Sequence, residues 1–393
     1  MFFGLAAMLL FGYFAGEVFK KLRLPALMGM LFAGIIIGPH VLGLIDEKIL
    51  SISAELRKIA LVVILMRAGL SLDLSELRKN GRPAVLMCFL PACFELAAMI
   101  FFAPRLMGVT RTEAAIMGAT VGAVSPAVIV PKMLKLAEEG YGKKHGIPQL
   151  VMAGASVDDV FVIVMFYAFV ALEQTGEMSP AGFVKIPASI ALGIAAGLAL
   201  GVGAARLFRR VHIRDTVKII ILMGISFALV GFEDTFGGAV PFSAMIAVMC
   251  IGVPMQKIIP QATKRLSGGF GRLWVFFEIM LFVLVGACVN IKYAAAAGLP
   301  AAALIFAVLL FRMAGVCVCT AKSRLSPRER LFCMLAYLPK ATVQAAIGGI
   351  PLALGLACGE AVLTVAVLSI IITAPLGAFL IDLTYKKLLD CEE

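Results

Sequence analysis

Two adjacent carboxylates, Asp158 and Asp159, lie near the middle of an apolar stretch that runs from Pro148 to Leu172. Such a stretch can cross a bilayer as a helix, which needs about 20 predominantly apolar residues. A charged side chain at that depth costs at least about 2.5 kcal/mol, so an intramembrane carboxylate indicates a functional site. Carboxylate oxygens bind hard cations, and burial favours the neutral, protonated carboxyl. The pair is therefore predicted to bind a small cation and protons in turn.

The ligands of this cation are predicted from helix geometry and from a second apolar segment. Adjacent residues on a helix point about 100° apart, so the two aspartates do not face one direction. Asp159 shares its face with Ser156, three residues earlier in the chain. A hard cation takes several oxygen ligands, and Ser125 and the backbone near Val124 are expected to supply others. The predicted ion and proton site consists of Asp159, Asp158, Ser156, Ser125 and Val124.

The composition indicates that these residues belong to a membrane protein. The 393 residues are 62% hydrophobic and 15% charged, and the mean hydropathy is +1.03. Soluble domains are roughly 45–50% apolar and about 25% charged. The net charge of +11 is explained by Lys and Arg on the cytoplasmic side of a membrane. No basic cluster comes with an aromatic platform, so nucleic acid is not an expected partner. The predicted fold class is all-α and polytopic, with the lipid bilayer as a partner.

About thirteen transmembrane helices are predicted from the apolar segments. The segments are residues 1–19, 25–44, 53–72, 83–104, 112–135, 148–172, 181–208, 216–232, 238–254, 272–290, 294–319, 328–355 and 360–385. Of the 35 Lys and Arg residues, 25 follow odd-numbered segments and seven follow even-numbered ones. Because positively charged loops stay in the cytoplasm, the N-terminus is predicted outside and the C-terminus in the cytoplasm.

The fifth and twelfth segments are predicted to be broken helices. The fifth contains Gly118, Gly122 and Pro126, and the twelfth contains Pro339 and Pro351. Proline removes a backbone donor and interrupts the helical ladder. Backbone groups left free at membrane depth persist only inside protein or beside a cavity, and paired, interrupted segments mark the binding site of many transporters. Segments 4–6 and 11–13 are therefore predicted to be inverted repeats whose two broken helices lie at the site.

Glu95, Arg312 and Lys340 are charged residues inside apolar segments and need partners there. Glu95 and Arg312 stand in the middle of segments 4 and 11, where an unpaired buried charge is strongly destabilising. Either they pair with each other, or Arg312 pairs with Asp158. Lys340 stands at the break of segment 12. There it is expected to neutralise the negative C-terminal end of a half-helix, or to repel a cation when the site is empty.

At these residues the chain resembles the monovalent cation/proton antiporters of the two-aspartate sodium/proton type. In particular it is similar to the branch that includes the mammalian exchangers of the solute-carrier 9B group. The motifs that carry the resemblance are LMRAGL at 65–70, GAVSPAVIVP at 122–131, SVDD at 156–159, LPKATVQAAI at 338–347 and LSIIITAP at 368–375.

The resemblance implies a homodimer with elevator-like transport by a six-helix core in which the two broken helices cross near the aspartates. It also implies that Asp159 is the main carrier of the cation and the proton, with Asp158 beside it. Relatives with two aspartates are usually electrogenic. The implied domains are dimerisation at 1–80 and 211–292, core (ion transport) at 81–175 and 293–393, and a linker helix at 176–210.

The predicted function is the exchange of Na⁺ or Li⁺, bound at Asp159 and Asp158, for H⁺ across the cell (inner) membrane. The protein is expected to be a secondary active transporter and not an enzyme, with no cofactor besides the transported ions. A K⁺/H⁺ antiporter and a cation channel stay open as alternatives. An intramembrane aspartyl protease is excluded, because its two aspartates must share a proton from separate helices.

Overall fold

The computed structural model describes residues 1–22, 24–71, 81–175, 180–211, 213–237 and 240–391. Within these ranges the side chains of Ser156, Val160 and residues 175–187 are not part of the description. The predicted role of the Ser156 hydroxyl therefore lies outside the described residues. So do three of the basic residues in the loop-charge count, namely Arg23, Arg78 and Lys79.

All regular elements of the described residues are helices, apart from one isolated antiparallel bridge between Tyr141 and Cys391. The helices are α1 (Phe2–Lys21), α2 (Ala26–Ile37), α3 (Glu47–Ser51), α4 (Ser53–Ser71), α5 (Gly81–Met87), α6 (Leu90–Met107), α7 (Arg111–Val121), α8 (Pro126–Glu138), α9 (Ile147–Thr175), α10 (Pro180–Arg210), α11 (Asp215–Phe236), α12 (Ala244–Ile258), α13 (Pro260–Ala287), α14 (Ile291–Thr320), α15 (Pro327–Ala336), α16 (Thr342–Ile347), α17 (Ile350–Ala353) and α18 (Gly359–Leu388).

The described helices include nine stretches that are long and apolar enough to cross a membrane. They are Phe2–Lys21, Gly81–Met107, Arg111–Glu138, Ile147–Gln174, Ala188–Arg210, Asp215–Phe236, Pro260–Ala287, Ile291–Thr320 and Gly359–Leu388, with shorter apolar helices at Ala26–Ile37, Ala244–Ile258 and Thr342–Ala353. A helix pairs its own backbone groups, which is why apolar stretches of this length fold as helices in lipid. The polytopic all-α class is confirmed, whereas the number of thirteen crossings stays a prediction.

The chain forms two compact units. The first unit contains Met1–Ala54, Ser75–Gln174 and Ile279–Glu393, and the second contains Glu55–Leu74 and Thr175–Glu278. All residues of the predicted ion site, and the three charged residues assigned to it, belong to the first unit. The expected division into dimerisation, linker and core domains concerns assembly and transport, and it stays a prediction.

One order of elements occurs twice in the first unit. A continuous helix, a broken helix and another continuous helix follow each other as α6, α7–α8 and α9, and again as α14, α15–α17 and α18. The two leading helices, α6 and α14, pack against each other. Both broken helices begin with a capping box, Thr110 with Glu113 and Ser326 with Glu329. Each box satisfies backbone N–H groups that the first turn leaves without a partner.

The second unit is held by close packing of α10 against α12. A Cβ atom at Gly197 would meet the carbonyl of Ala247, and one at Gly201 would meet the carbonyl of Ile251. Small residues at this spacing allow helix backbones to approach closely in a membrane, where association depends on van der Waals contact.

Candidate ion-binding site

The two helix breaks lie against each other. In the first broken helix, α7 ends at Val121 and α8 begins at Pro126; in the second, the backbone is irregular between α15 and α16. Proline disfavours helical backbone in the preceding residue, and Ser125 is extended with φ −90° and ψ 109°. The N–H of Ser125 donates to the carbonyl oxygen of Pro339 at 2.8 Å. The breaks are thus set locally by proline and joined to each other by a backbone hydrogen bond.

Asp158 is fully buried and is held by two donors. Its Oδ2 atom accepts hydrogen bonds from the N–H of Val124 at 2.9 Å and from Nη2 of Arg312 at 2.7 Å. Its Oδ1 atom has no hydrogen-bond partner among the described residues. One oxygen of this carboxylate therefore accepts hydrogen bonds from the first break and from α14, while the other is free to accept a further hydrogen bond.

Asp159 has different surroundings. The residue is 8% exposed, and its Oδ1 atom has no hydrogen-bond partner within the described part of the chain. No ion pair with a basic residue is found for Asp159 among those residues either. The hydroxyl of Ser125, next to Val124 in the break, is also buried without a partner. Buried acceptors without partners are rare and costly, and carboxylate and hydroxyl oxygens are the ligand types that a hard cation takes.

Arg312 is fully buried on α14 and donates to both Glu95 and Asp158. Its Nη1 atom lies 2.9 Å from Oε2 of Glu95, and its Nη2 atom lies 2.7 Å from Oδ2 of Asp158. Nε donates to the carbonyl oxygen of Tyr337 at 2.8 Å, and Nη1 also donates to the carbonyl of Gly122. The two pairings that the sequence left as alternatives therefore occur together, because the planar guanidinium offers five donors in a fixed fork.

Lys340 joins the second break to α6 and to the end of α7. Its Nζ atom lies 2.7 Å from Oε1 and 2.8 Å from Oε2 of Glu95. Nζ also donates to the carbonyl of Val121, the last residue of α7. A cation at the C-terminal end of a helix compensates its partial negative charge. This contact is the one expected if Lys340 neutralises the negative C-terminal end of a half-helix.

Glu95, Asp158, Arg312 and Lys340 therefore form one buried cluster of two acidic and two basic residues. When all four are ionised, the formal charge of the cluster is zero. Asp159 lies outside the cluster, although it directly follows Asp158 on α9. Its charge is thus not balanced by a basic residue among the described residues.

Sequence reasoning assigned no role to two buried polar residues at the breaks. The side-chain Nε2 of Gln344 donates to the carbonyls of Ala123 at 2.9 Å and Val121 at 3.3 Å. The hydroxyl of Thr373 accepts a hydrogen bond from the backbone N–H of Lys340 at 2.9 Å. Both residues lie within the sequence motifs that resemble the antiporters. The sequence feature that could have identified them is a polar side chain in an apolar stretch beside a break.

Comparisons with known proteins agree with this architecture. The family model described as "Sodium/hydrogen exchanger, transmembrane" matches residues 5–387. Sodium/hydrogen exchanger 9B2 of Xenopus tropicalis is 33% identical over 415 residues, covering 100% of this chain and 75% of the relative. Sodium/hydrogen exchanger 9B1 of Homo sapiens is 31% identical over 410 residues, covering 98% of this chain and 78% of the relative.

A solved structure has the same fold. The sodium proton antiporter MjNhaP1 from Methanocaldococcus jannaschii, solved at pH 8, matches with a TM-score of 0.86 and 18% sequence identity. The match covers 98% of this chain and 97% of that chain. The predicted fold class, with repeated broken helices that meet inside a helical membrane protein, is therefore confirmed.

Proposed function

The chain belongs to the sodium/hydrogen exchanger family, a family of multi-pass membrane transporters and not of enzymes, and we propose that it exchanges Na⁺ or Li⁺ for H⁺ at Asp159. The cation and the proton compete for this carboxylate, so that each excludes the other. The observation that carries the proposal is the contrast between the two buried aspartates. Asp158 is held by Arg312, whereas Asp159 has an oxygen without a partner among the described residues.

Competition at a buried carboxylate explains why the two ions are exchanged and do not cross independently. A charged group is costly to carry through the low-dielectric interior of a membrane. A proton or a monovalent cation neutralises Asp159, whereas an empty site leaves one buried negative charge. Only the occupied forms cross easily, so inward movement of one ion is coupled to outward movement of the other.

The movement itself is proposed to be elevator-like. The buried cluster ties α6, α9 and α14 to both helix breaks through Glu95, Asp158, Arg312 and Lys340. Breaking one of these contacts would leave a buried charge without its partner, at a cost of about 3–5 kcal/mol. These elements are therefore expected to move as one body that carries the site from one side of the membrane to the other.

The proposed setting is the cell (inner) membrane, with the N-terminus outside and the C-terminus in the cytoplasm. The asymmetry of Lys and Arg between alternate loops supports this orientation. A homodimer is proposed as the working assembly, in line with the motifs that resemble the antiporters. The transported Na⁺ or Li⁺ and H⁺ are cargo, and no resident cofactor is included in the mechanism.

The test is exchange by purified protein in proteoliposomes that contain a pH-sensitive dye, with Na⁺, Li⁺ and K⁺ added in turn. The variant Asp159→Asn should abolish cation-driven proton movement, because the amide carries no charge to be neutralised. Asp382→Asn is the matched control, since Asp382 is an exposed residue that pairs with Lys132 on the surface of the same unit.

Full exchange by the Asp159→Asn variant would refute the proposed site. A response to K⁺ that equals or exceeds the response to Na⁺ would instead identify a K⁺/H⁺ antiporter. Cation flux without coupled proton movement would identify a channel.

A further inference from the structure

The irregular backbone of the first break presents three successive carbonyls, and each accepts a hydrogen bond from a side chain of the second repeat. Lys340 donates to the carbonyl of Val121, Arg312 to that of Gly122, and Gln344 to that of Ala123 at 2.9 Å. Two of the three donors are charged and also pair with Glu95 or Asp158. Gln344 is the neutral donor of this set.

The orientation of the Gln344 amide is determined by its neighbours. The residue is fully buried, and the two groups within hydrogen-bond reach of Nε2 are the carbonyls of Val121 and Ala123. Carbonyl oxygens only accept hydrogen bonds, so the NH₂ group must face them and a flipped amide is excluded. The Oε1 atom has no partner among the described residues. The observed hydrogen bonds of this side chain thus all go to the first break.

One peptide group is held from both ends in this arrangement. The carbonyl of Ala123 accepts from Gln344, and the N–H of Val124 donates to Oδ2 of Asp158 at 2.9 Å. These two atoms belong to the same peptide unit, and in a trans peptide they point in opposite directions. The Ala123–Val124 peptide therefore turns its donor toward Asp158 and its acceptor away from it, and Gln344 holds the far end.

We propose that Gln344 is a positioning residue that keeps this peptide group from rotating and thereby sets which cations the site accepts. The inference rests on the proposed function, since it concerns the same ion site. With the peptide held, the site presents to a cation the carboxylate oxygens of Asp159 and the hydroxyl of Ser125. A rotated peptide would turn the Ala123 carbonyl toward Asp158, which directly precedes Asp159, and the Val124 N–H away from it.

Rotation of the peptide would favour larger cations. Selectivity between alkali cations depends on the number and field strength of the coordinating oxygens and on the size of the cavity. Carboxylate oxygens carry a full charge and favour small ions, whereas an added neutral carbonyl enlarges the ligand set at lower field strength. Releasing the Ala123 carbonyl should therefore raise the relative preference for K⁺. The neighbouring peptide groups stay in place, because Lys340 and Arg312 still hold the carbonyls of Val121 and Gly122.

The experiment compares Gln344→Met with Gln149→Met in proteoliposomes. Methionine keeps the length of the side chain and removes both N–H donors. Gln149 lies on α9 about three turns before Asp159, and its side chain donates to none of the three carbonyls, so it is a matched control. For Gln344→Met, the ratio of the apparent KM for Na⁺ to that for K⁺ should rise about fivefold, the factor that one ordinary hydrogen bond corresponds to. The maximal rate should change less, and the control should keep the wild-type ratio.

A second measurement reports on the peptide without transport. Hydrogen–deuterium exchange of the purified protein should be faster in the fragment that contains Val124 in Gln344→Met, and unchanged in the control. A merely structural role would lower the folded yield or the maximal rate of Gln344→Met and leave the cation ratio and this exchange rate as in the wild type. That result would overturn the inference.

The variant Gln344→Asn keeps an amide that is one carbon too short to reach, and it replaces Gln344→Met if the latter does not fold. The same change in ratio is expected, and an unchanged ratio would again overturn the inference. If the wild-type protein itself shows no exchange, the proposed function fails first. If the wild type exchanges ions and the variants keep its cation ratio, the inference fails alone.

Discussion

Asp158 and Asp159 are neighbours in the chain, but their carboxylates are not equivalent. Asp158 accepts from Val124 and from Arg312, and it belongs to a cluster with no formal charge. Asp159 lacks such a basic partner among the described residues. A carboxylate that is already paired has little to gain from a cation, whereas an unpaired buried one has much to gain. In the proposed mechanism, this difference gives Asp158 a structural part and Asp159 the exchange of ions.

At the same scale, Arg312 is expected to be the residue whose loss is most damaging to the fold. Arg312→Ala would leave Asp158 without its basic partner and Glu95 with Lys340 alone. The free energy of unfolding should fall by about 3–5 kcal/mol, the usual cost of breaking a buried ion pair. The melting temperature of the purified protein in detergent measures this loss. Arg105→Ala, at an exposed position on α6, should change stability by no more than about 0.5 kcal/mol.

A charge swap between Glu95 and Arg312 is not expected to restore the fold. A carboxylate at position 312 would face Asp158, and a guanidinium at position 95 would face Lys340. Recovery of the wild-type melting temperature by the double variant would contradict this view. It would mean that the cluster is two independent pairs and not one network.

At the scale of elements, the irregular backbone at the second break depends on Pro339 and on α18, the helix that packs behind it. A Cβ atom at Gly377 on α18 would collide with the ring and the nitrogen of Pro339. The close approach of α18 also brings Thr373 to the backbone N–H of Lys340. Gly377 thus lets α18 support the second break directly.

The variant Gly377→Ala should therefore lower both stability and exchange, by about 1–3 kcal/mol in the free energy of unfolding, as is usual for overpacking. Gly298→Ala on α14 is the matched control, since a Cβ atom there has open space around it. Alanine is a better helix former than glycine, so the control should be neutral or stabilised by about 0.5–1 kcal/mol. Equal melting temperatures for the two variants would show that α18 does not press on the break.

At the scale of the whole molecule, the charges of the first unit suggest the stoichiometry of exchange. The buried cluster is neutral, and one carboxylate outside it binds either one cation or one proton. Both occupied forms then cross the membrane with the same net charge. One cation is expected to be exchanged for one proton, unlike the electrogenic exchange that two aspartates imply by resemblance.

The prediction is that exchange in proteoliposomes does not depend on membrane potential. It is measured by comparing the initial rate and the final pH gradient with the potential clamped at zero and at a negative value. A final gradient that shifts with the clamped potential would contradict one-for-one exchange. It would indicate that Asp158 also separates from Arg312 and that its charge takes part in the transport cycle.

The sequence alone was sufficient to predict the class of protein, the position of the carboxylates and the two breaks. These features depend on short-range physics. The length of an apolar stretch determines whether it spans a bilayer, and a proline such as Pro126 or Pro339 removes a helical hydrogen bond wherever the rest of the chain lies. The capping box at each broken helix, Thr110 with Glu113 and Ser326 with Glu329, is equally local.

The partners of the charges were decided only by the tertiary structure. The sequence allowed Arg312 to pair with either Glu95 or Asp158. It contacts both, because α6, α9 and the first break all meet α14 at one point. The contact of Gln344 with Ala123 joins residues that are far apart in the chain, and nothing in their local sequence specifies it. Hydrogen bonds are short and directional, so which donor reaches which acceptor depends on the packing of whole helices.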